Sequence, residues 1–351
     1  MKCYQIYNKR WIVFILLLAV NFSLANEIPV QHAKLVEIYA DLDLSLAGKI
    51  IHVDGIMYVL ESGNHRIVSI KDNEIMKQIG RIGQKKGEFY YPQNFLIDKK
   101  GRYIVLDFSE KGANRVQIVD REGKYINGFL TGTKPWGFGA DSKGNIYLGQ
   151  PHFGNLITVY SPKGKKINRL GKLILPSEIY GKEYEKKNSI YKIPMNRVNM
   201  VIDEDDNIYV SFLFMPLLIK FNPKGEVIFK KVLDRPGLNP VMRAIWDPGS
   251  KDAKQFFSRN IDGPQMAVVT KDMLYNHGQK RIYILLGSNE ILVLDLTGQE
   301  QAVIKPGIVK GALDRMFINE QDEIIVRFFF HPEFYKLVIK NSSNKIQEKS
   351  K

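Results

Sequence analysis

GRIGQKKGEFYYPQNFLIDKKGRYIVLD, residues 80–107, decides how the rest of the chain is read. Spaced glycines come first, then an aromatic pair, then Pro92, then two runs of alternating apolar residues. Glycine and proline punctuate local structure, and the alternation is that of half-buried strands. The order predicts a turn out of one strand, with Pro92 at the start of a short strand "NFLID". Gly101 then allows a tight turn into a second strand, because glycine tolerates the left-handed backbone region. Such a unit either occurs once or repeats, and repetition fixes the fold.

It repeats. The second strand and the turn before it return as "VDGIMYVLE" (53–61), "ADSKGNIYLGQ" (140–150) and "IDEDDNIYVSF" (202–212). They return again as "GQKRIYILLG" (278–287) and "INEQDEIIVRF" (318–328). The central residues are Tyr58, Ile104, Tyr147, Tyr209, Tyr283 and Ile325, spaced 46, 43, 62, 74 and 42 residues apart. After each comes a loop, an alternating strand, a turn such as "DREGK" or "NPKGE", and a last strand. Short strands with a period of about 40–50 residues are the signature of propeller blades.

The run "FYYPQNFLIDKKGRYIVLD" (89–107), followed by "NRVQIVDREG" (114–123), resembles an NHL repeat. The first and third units match it less closely, and the last three depart furthest. The resemblance implies a six-bladed β-propeller over nearly the whole chain. The expected fold is therefore all-β, a six-bladed β-propeller of four-stranded blades. The sixth unit supplies three strands, so "AKLVEIYADLDL" (33–44) is expected to act as the N-terminal strand closing the last blade. Closure removes exposed sheet edges.

The N-terminus reads differently. Lys2, Lys9 and Arg10 precede the apolar run "IVFILLLAV", which leads to Ser23 and Ala25. A basic region, a short apolar core and small residues describe a signal peptide over 1–25, with a retained anchor as the alternative. No later segment has about 18 consecutive apolar residues, so no transmembrane segment is expected after cleavage. The propeller then occupies residues 26–342, and 343–351 form a polar tail expected to be disordered. The expected location is secreted or periplasmic. Removing 25 residues from 351 leaves 326 and removes Cys3, the single cysteine. The mature chain then has no disulfide and no thiolate. Its net charge falls from +14 to +11 with the loss of the three N-terminal cations. A basic exported protein suits acidic partners, namely a protein, a peptide or an anionic glycan, and export disfavours nucleic acid.

The two long spacings carry insertions near 172–193 and 235–262. Both precede an inner strand, so both emerge at the channel mouth, where long loops on a rigid scaffold concentrate binding residues. Aromatic and cationic side chains gather there, a mixture suited to a partly apolar, partly anionic ligand. Phe89, Tyr90 and Tyr191 belong to this group. The candidate ligand-binding residues are Tyr91, Asn94, Trp136, Arg197, Asn199, Trp246, Gln265 and Arg315. Counting back from the turn acids puts Asn94, Gly137, Asn199, Gln265 and Asp314–Arg315 at equivalent early positions of the inner strands. Asn94, Asn199 and Asp314 are the candidate metal ligands, but they bring too little negative charge for a Ca²⁺ site. No metal and no cofactor is therefore expected, with Ca²⁺ at these three residues as the alternative. The six histidines are scattered, without the paired spacing of a zinc site. No serine nucleophile elbow occurs.

The sequence thus favours an exported binding or interaction module using its basic, aromatic mouth. One alternative is a metal-dependent lactonase- or lyase-type enzyme at the same mouth. Another is a sensor or subunit of a cell-envelope complex.

Overall fold

The computed structural model describes residues 28–38, 44, 47–108, 113–180, 182, 185, 188–235, 268–307, 311–328 and 333–339. The expected signal peptide, the second insertion beyond Arg235 with Trp246 and Gln265, and the expected tail lie outside the described residues.

The first strand is β1 (Val30–Ile38). A four-stranded sheet follows, β2 (Ala47–Val53), β3 (Ile56–Glu61), β4 (Arg66–Lys71) and β5 (Glu74–Ile79). The next is β6 (Asn94–Ile97), β7 (Tyr103–Phe108), β8 (Asn114–Val119) and β9 (Tyr125–Leu130). The third is β10 (Phe138–Ala140), β11 (Ile146–Gly149), β12 (Asn155–Tyr160) and β13 (Lys166–Lys172). Two short helices, α1 (Pro176–Tyr180) and α2 (Asn188–Met195), occupy the first insertion. The fourth sheet is β14 (Val198–Ile202), β15 (Ile208–Phe212), β16 (Leu217–Phe221) and β17 (Val227–Val232). The remaining strands are β18 (Thr270–Asn276), β19 (Arg281–Leu286), β20 (Ile291–Asp295), β21 (Glu300–Pro306), β22 (Leu313–Ile318), β23 (Ile324–Phe328) and β24 (Phe334–Ile339). With β1 they make one eight-stranded sheet, ordered β18-β19-β20-β21-β1-β24-β23-β22. Strand β1 pairs antiparallel with β24 and parallel with β21. It begins at Val30, earlier than the expected strand 33–44.

The fold is all-β, with the strands arranged as in a propeller. Each inner strand lies against the next, β2 on β6, β6 on β10, β10 on β14, β14 on β18 and β18 on β22. Strand β22 touches β2 and closes the ring. The core sits between sheets. Val68 and Ile325 share one cluster, Leu60 and Phe95 the next, and Ile118 and Leu148 the next. Leu156 and Phe212 follow, then Leu218 and Leu292. A last cluster joins Leu285 of β19 to Val326 of β23, across the two halves of the eight-stranded sheet.

The turn acids explain why the repeat is so regular. Asp98 Oδ1 accepts the backbone N–H groups of Lys100 and Arg102, and Asp141 Oδ1 those of Lys143 and Asn145. Asp203 does the same for Asp205 and Asn207. Each carboxylate organises its own turn, the local bonding that favours Asp at such positions. Gly101 has φ +71, the conformation expected of it.

Candidate functional site

The inner strands are entered from the preceding outer strands, so their first residues gather at one end of the ring. Strand register aligns them. Tyr58, Ile104, Tyr147, Tyr209, Tyr283 and Ile325 pair with Ile51, Leu96, Gly139, Val201, Leu274 and Phe317. Two residues upstream, on the same side by the two-residue period of a strand, stand Lys49, Asn94, Gly137, Asn199, Asp272 and Arg315. This tier is the mouth. Asn94, Asn199 and Arg315 occupy it as expected. Lys49 and Asp272 are new, and register gives Asp272 the place assigned from sequence to the Gln265 region.

Most of the side-chain oxygens in and beside this tier are already in use. Asn94 Oδ1 accepts the Phe95 N–H at 2.9 Å. Asp272 Oδ1 accepts from Met273 N at 3.0 Å, and Oδ2 reaches across to Met316 N on β22 at 2.8 Å. Asp314, the acidic metal candidate, is held by Arg327, with Nη2 2.5 Å from Oδ2 and Nε 3.2 Å from Oδ1. Among the described residues, no three His, Cys, Asp or Glu side chains group as metal ligands do.

Several donors, by contrast, are unspent. Arg197, in the residue before β14, lies 4.1 Å over the Trp136 ring and 5.9 Å from that of Phe214. Lys134 lies 4.9 Å from the same Trp136 ring. Arg197 Nε and Asn199 Nδ2 are shielded from water and bond to nothing in the protein. Burial pushes the Arg197 guanidinium below its ordinary value. Lys49 behaves likewise. Burial lowers its pKa, the Asp272 carboxylate offsets part of that, and the Arg315 guanidinium adds to it. Lys271 donates to Asn289 Oδ1 at 2.6 Å and is pushed down to about 8, mainly by burial, with Asp314 opposing.

The first insertion presents Arg197. Leu173, Ile174, Tyr191 and Met195 pack into the cluster shared by the third and fourth sheets. The fully buried Asn196 side chain accepts from Ile174 N at 2.8 Å and donates to the carbonyls of Ile174 and Lys192, both at 2.7 Å. This clamp fixes the chain one residue ahead of Arg197.

The aromatic residues expected at the mouth divide. Phe89 and Tyr191 are core residues, so their place among the mouth aromatics is corrected. The Phe89 ring fills the space that a side chain on Gly80 would need. Tyr90 stacks on His65 at 6.3 Å. Tyr91 is 47% exposed. Its backbone N–H, like that of Tyr90, donates to the buried carboxylate of Asp107, which Arg115 holds at 2.7 Å. Trp136 is a platform for two cations, whereas sequence alone marked it only as a ligand contact.

No protein family matches the chain, and no curated protein does. Solved structures do. A Bacteroides fragilis protein described as exported superimposes with a TM-score of 0.55 at 11% identity, over 90% of this chain and 97% of that one. A catalytically inactive virginiamycin B lyase from Staphylococcus aureus, solved with quinupristin, gives 0.54 at 12% identity, over 89% and 90%. A selenomethionine form of that lyase gives 0.50 at 11%, over 83% and 80%. At these identities the likeness is one of fold, and it supports the β-propeller. Among the described residues no helix is long and apolar enough to cross a membrane.

Proposed function

We propose that the chain is an exported six-bladed β-propeller of NHL-like repeats, spanning residues 26–342, that binds a ligand at its mouth. Export rests on the N-terminal sequence and agrees with the neighbour described as exported. Six blades are supported by the ring of inner-strand contacts and by the way β18 and β22, the edges of the eight-stranded sheet, touch. A sheet whose edges meet is folded into two blades, with β1 as the outer strand of the last.

The binding reading rests on Arg197 Nε and Asn199 Nδ2. Buried donors without acceptors cost about 1–3 kcal/mol each. Native proteins leave few such groups, and each calls for an explanation. A ligand bearing acceptors recovers that cost. The lyase likeness is one of fold alone, and among the described residues no three His, Cys, Asp or Glu side chains group as metal ligands do.

The test is a ligand-observed NMR screen of a fragment library against the purified protein and its Arg197→Gln and Asn199→Ala variants. Hits that bind the parent and are lost in both folded variants are expected. A screen in which no hit depends on either residue refutes the reading.

A further inference from the structure

We infer that the group the mouth recognises is an oxyanion, a carboxylate, sulfate or phosphate, held by Arg197 and Asn199. This rests on the binding reading above and names its ligand chemistry.

The hydrogen-bond inventory of the tier carries the inference. The acceptor oxygens of Asn94, Asp272 and Asp314 are taken by Phe95 N, by Met273 N and Met316 N, and by Arg327. Beside the single amide oxygen of Asn199, what the mouth still offers is N–H. Arg197 Nε and Asn199 Nδ2 bond to nothing in the protein. A hard cation needs several oxygens with carboxylates among them, and both oxygens of Asp272 and of Asp314 already accept hydrogen bonds. An acceptor-only ligand fits, and a guanidinium matches the planar geometry of carboxylate and phosphate.

Charge points the same way. Among the described residues, no acid forms an ion pair with Lys49, Lys134, Arg197 or Arg315. Asp272 is the acid whose field reaches Lys49. Cations thus stand both at Arg197 with Lys134, where the third and fourth sheets meet, and at Lys49 with Arg315, where the ring closes. These four cations outnumber the Asp272 carboxylate beside them, and an excess of one sign draws ligands of the other. The Trp136 ring fixes Arg197 and Lys134 against it, so little side-chain order remains to be imposed on binding.

The experiment is calorimetric titration and melting of the purified protein with sodium sulfate, phosphate, citrate and calcium chloride, at ionic strength held constant with sodium chloride. At least one of the three anions is expected to bind more tightly than chloride and to raise the melting temperature, since a ligand of the folded state stabilises it. The ranking of the three identifies which oxyanion the site prefers. Arg197→Gln is expected to weaken that binding at least tenfold. Asn199→Asp, of equal size but opposite chemistry, is expected to abolish it. Anion binding no better than chloride, or unchanged in Arg197→Gln, overturns the inference, as does stabilisation by calcium in place of the anions. Neutral fragments that still bind in an Arg197-dependent manner while anions fail would leave the binding reading standing and remove only the oxyanion. Loss of both classes removes both.

Discussion

Asp107→Asn tests how the mouth loops are held. Asp107 is fully buried and accepts from Tyr90 N, Tyr91 N and Phe108 N. It also takes Nε and Nη2 of Arg115, at 2.9 and 2.7 Å. Asparagine keeps the shape and one acceptor. Its amide nitrogen, however, must face either the backbone N–H groups or the guanidinium, donor against donor. Breaking a buried ion pair on one side costs about 3–5 kcal/mol. Arg115 retains the carbonyls of Gln84 and Glu88 and is 13% exposed, which favours the lower end. About 3 kcal/mol corresponds to a melting shift of roughly 6 °C, at about 2 °C per kcal/mol for a chain of this size. Calorimetry measures the shift, and hydrogen exchange reads the Tyr90 and Tyr91 amides, whose protection is expected to fall well beyond the global change. The double variant Asp107→Asn with Arg115→Met is expected to recover part of the loss, because the uncompensated charge is gone. A melting temperature within 1 °C of the parent, with both amides still protected, would refute the hub.

Asn196→Ala leaves Ile174 N and O and the Lys192 carbonyl without their partner; a loss of about 2–3 kcal/mol and faster proteolysis between residues 176 and 190 are expected. Lys271, at about 8 in the fold against 10.5 ordinarily, is bound by a proton more often in the unfolded chain above pH 8. Stability is therefore expected to rise with pH from about 8 towards 10, a rise that Lys271→Met flattens in urea titrations, and amine acylation at pH 8 should mark Lys271 ahead of surface lysines. Gly101→Ala forces a side chain into φ +71 beside Arg121. Because Arg121 is exposed and can move, the expected cost is only the left-handed backbone penalty of about 1–2 kcal/mol, read by urea denaturation.

The fold was legible where local chemistry is strong. Asp98, Asp141 and Asp203 organise turns with their own neighbours, so a pattern of acid, glycine and alternating strand could be followed without tertiary knowledge. Phe89 and Tyr91 show the limit. They are two residues apart in one aromatic run, yet one fills the slot over Gly80 and the other is exposed. That choice depends on Asp107, which anchors the loop from 16 and 17 residues away. The mouth tier was partly legible for a similar reason. Counting back from the turn acids finds Asn94, Asn199 and Arg315. It fails in the first unit, where Val53 and Ile56 flank a turn of two residues. It fails again before Tyr283, where the turn "NHGQK" has no acid. Aligning on Tyr58 and Tyr283 and counting across the strand pair would have found Lys49 and Asp272.

The same register shows why the repeat specifies the fold and is silent about the ligand. The position of Asp107 is held in the other units by Glu61, Gln150, Phe212, Leu286 and Phe328. The first two units use an acid and bind an arginine of their own unit, Glu61 with Arg66 at 2.5 Å and Asp107 with Arg115 at 2.7 Å. The third uses a neutral carboxamide, and Gln150 Nε2 holds the Thr131 and Thr133 carbonyls ahead of Trp136 at 2.9 and 3.0 Å. The last three use buried apolar side chains. The hub thus passes from ion pair to amide to apolar plug, and in every form it is electrically neutral. The positive character of the mouth must then come from elsewhere. It comes from Lys49, Lys134, Arg197 and Arg315, which belong to the connections between sheets and to the starts of inner strands, outside the positions that define the repeat. Scaffold and proposed site are written in different residues of each unit, and the donors that the repeat leaves unpaired, Arg197 Nε and Asn199 Nδ2, lie outside the turn positions that define it.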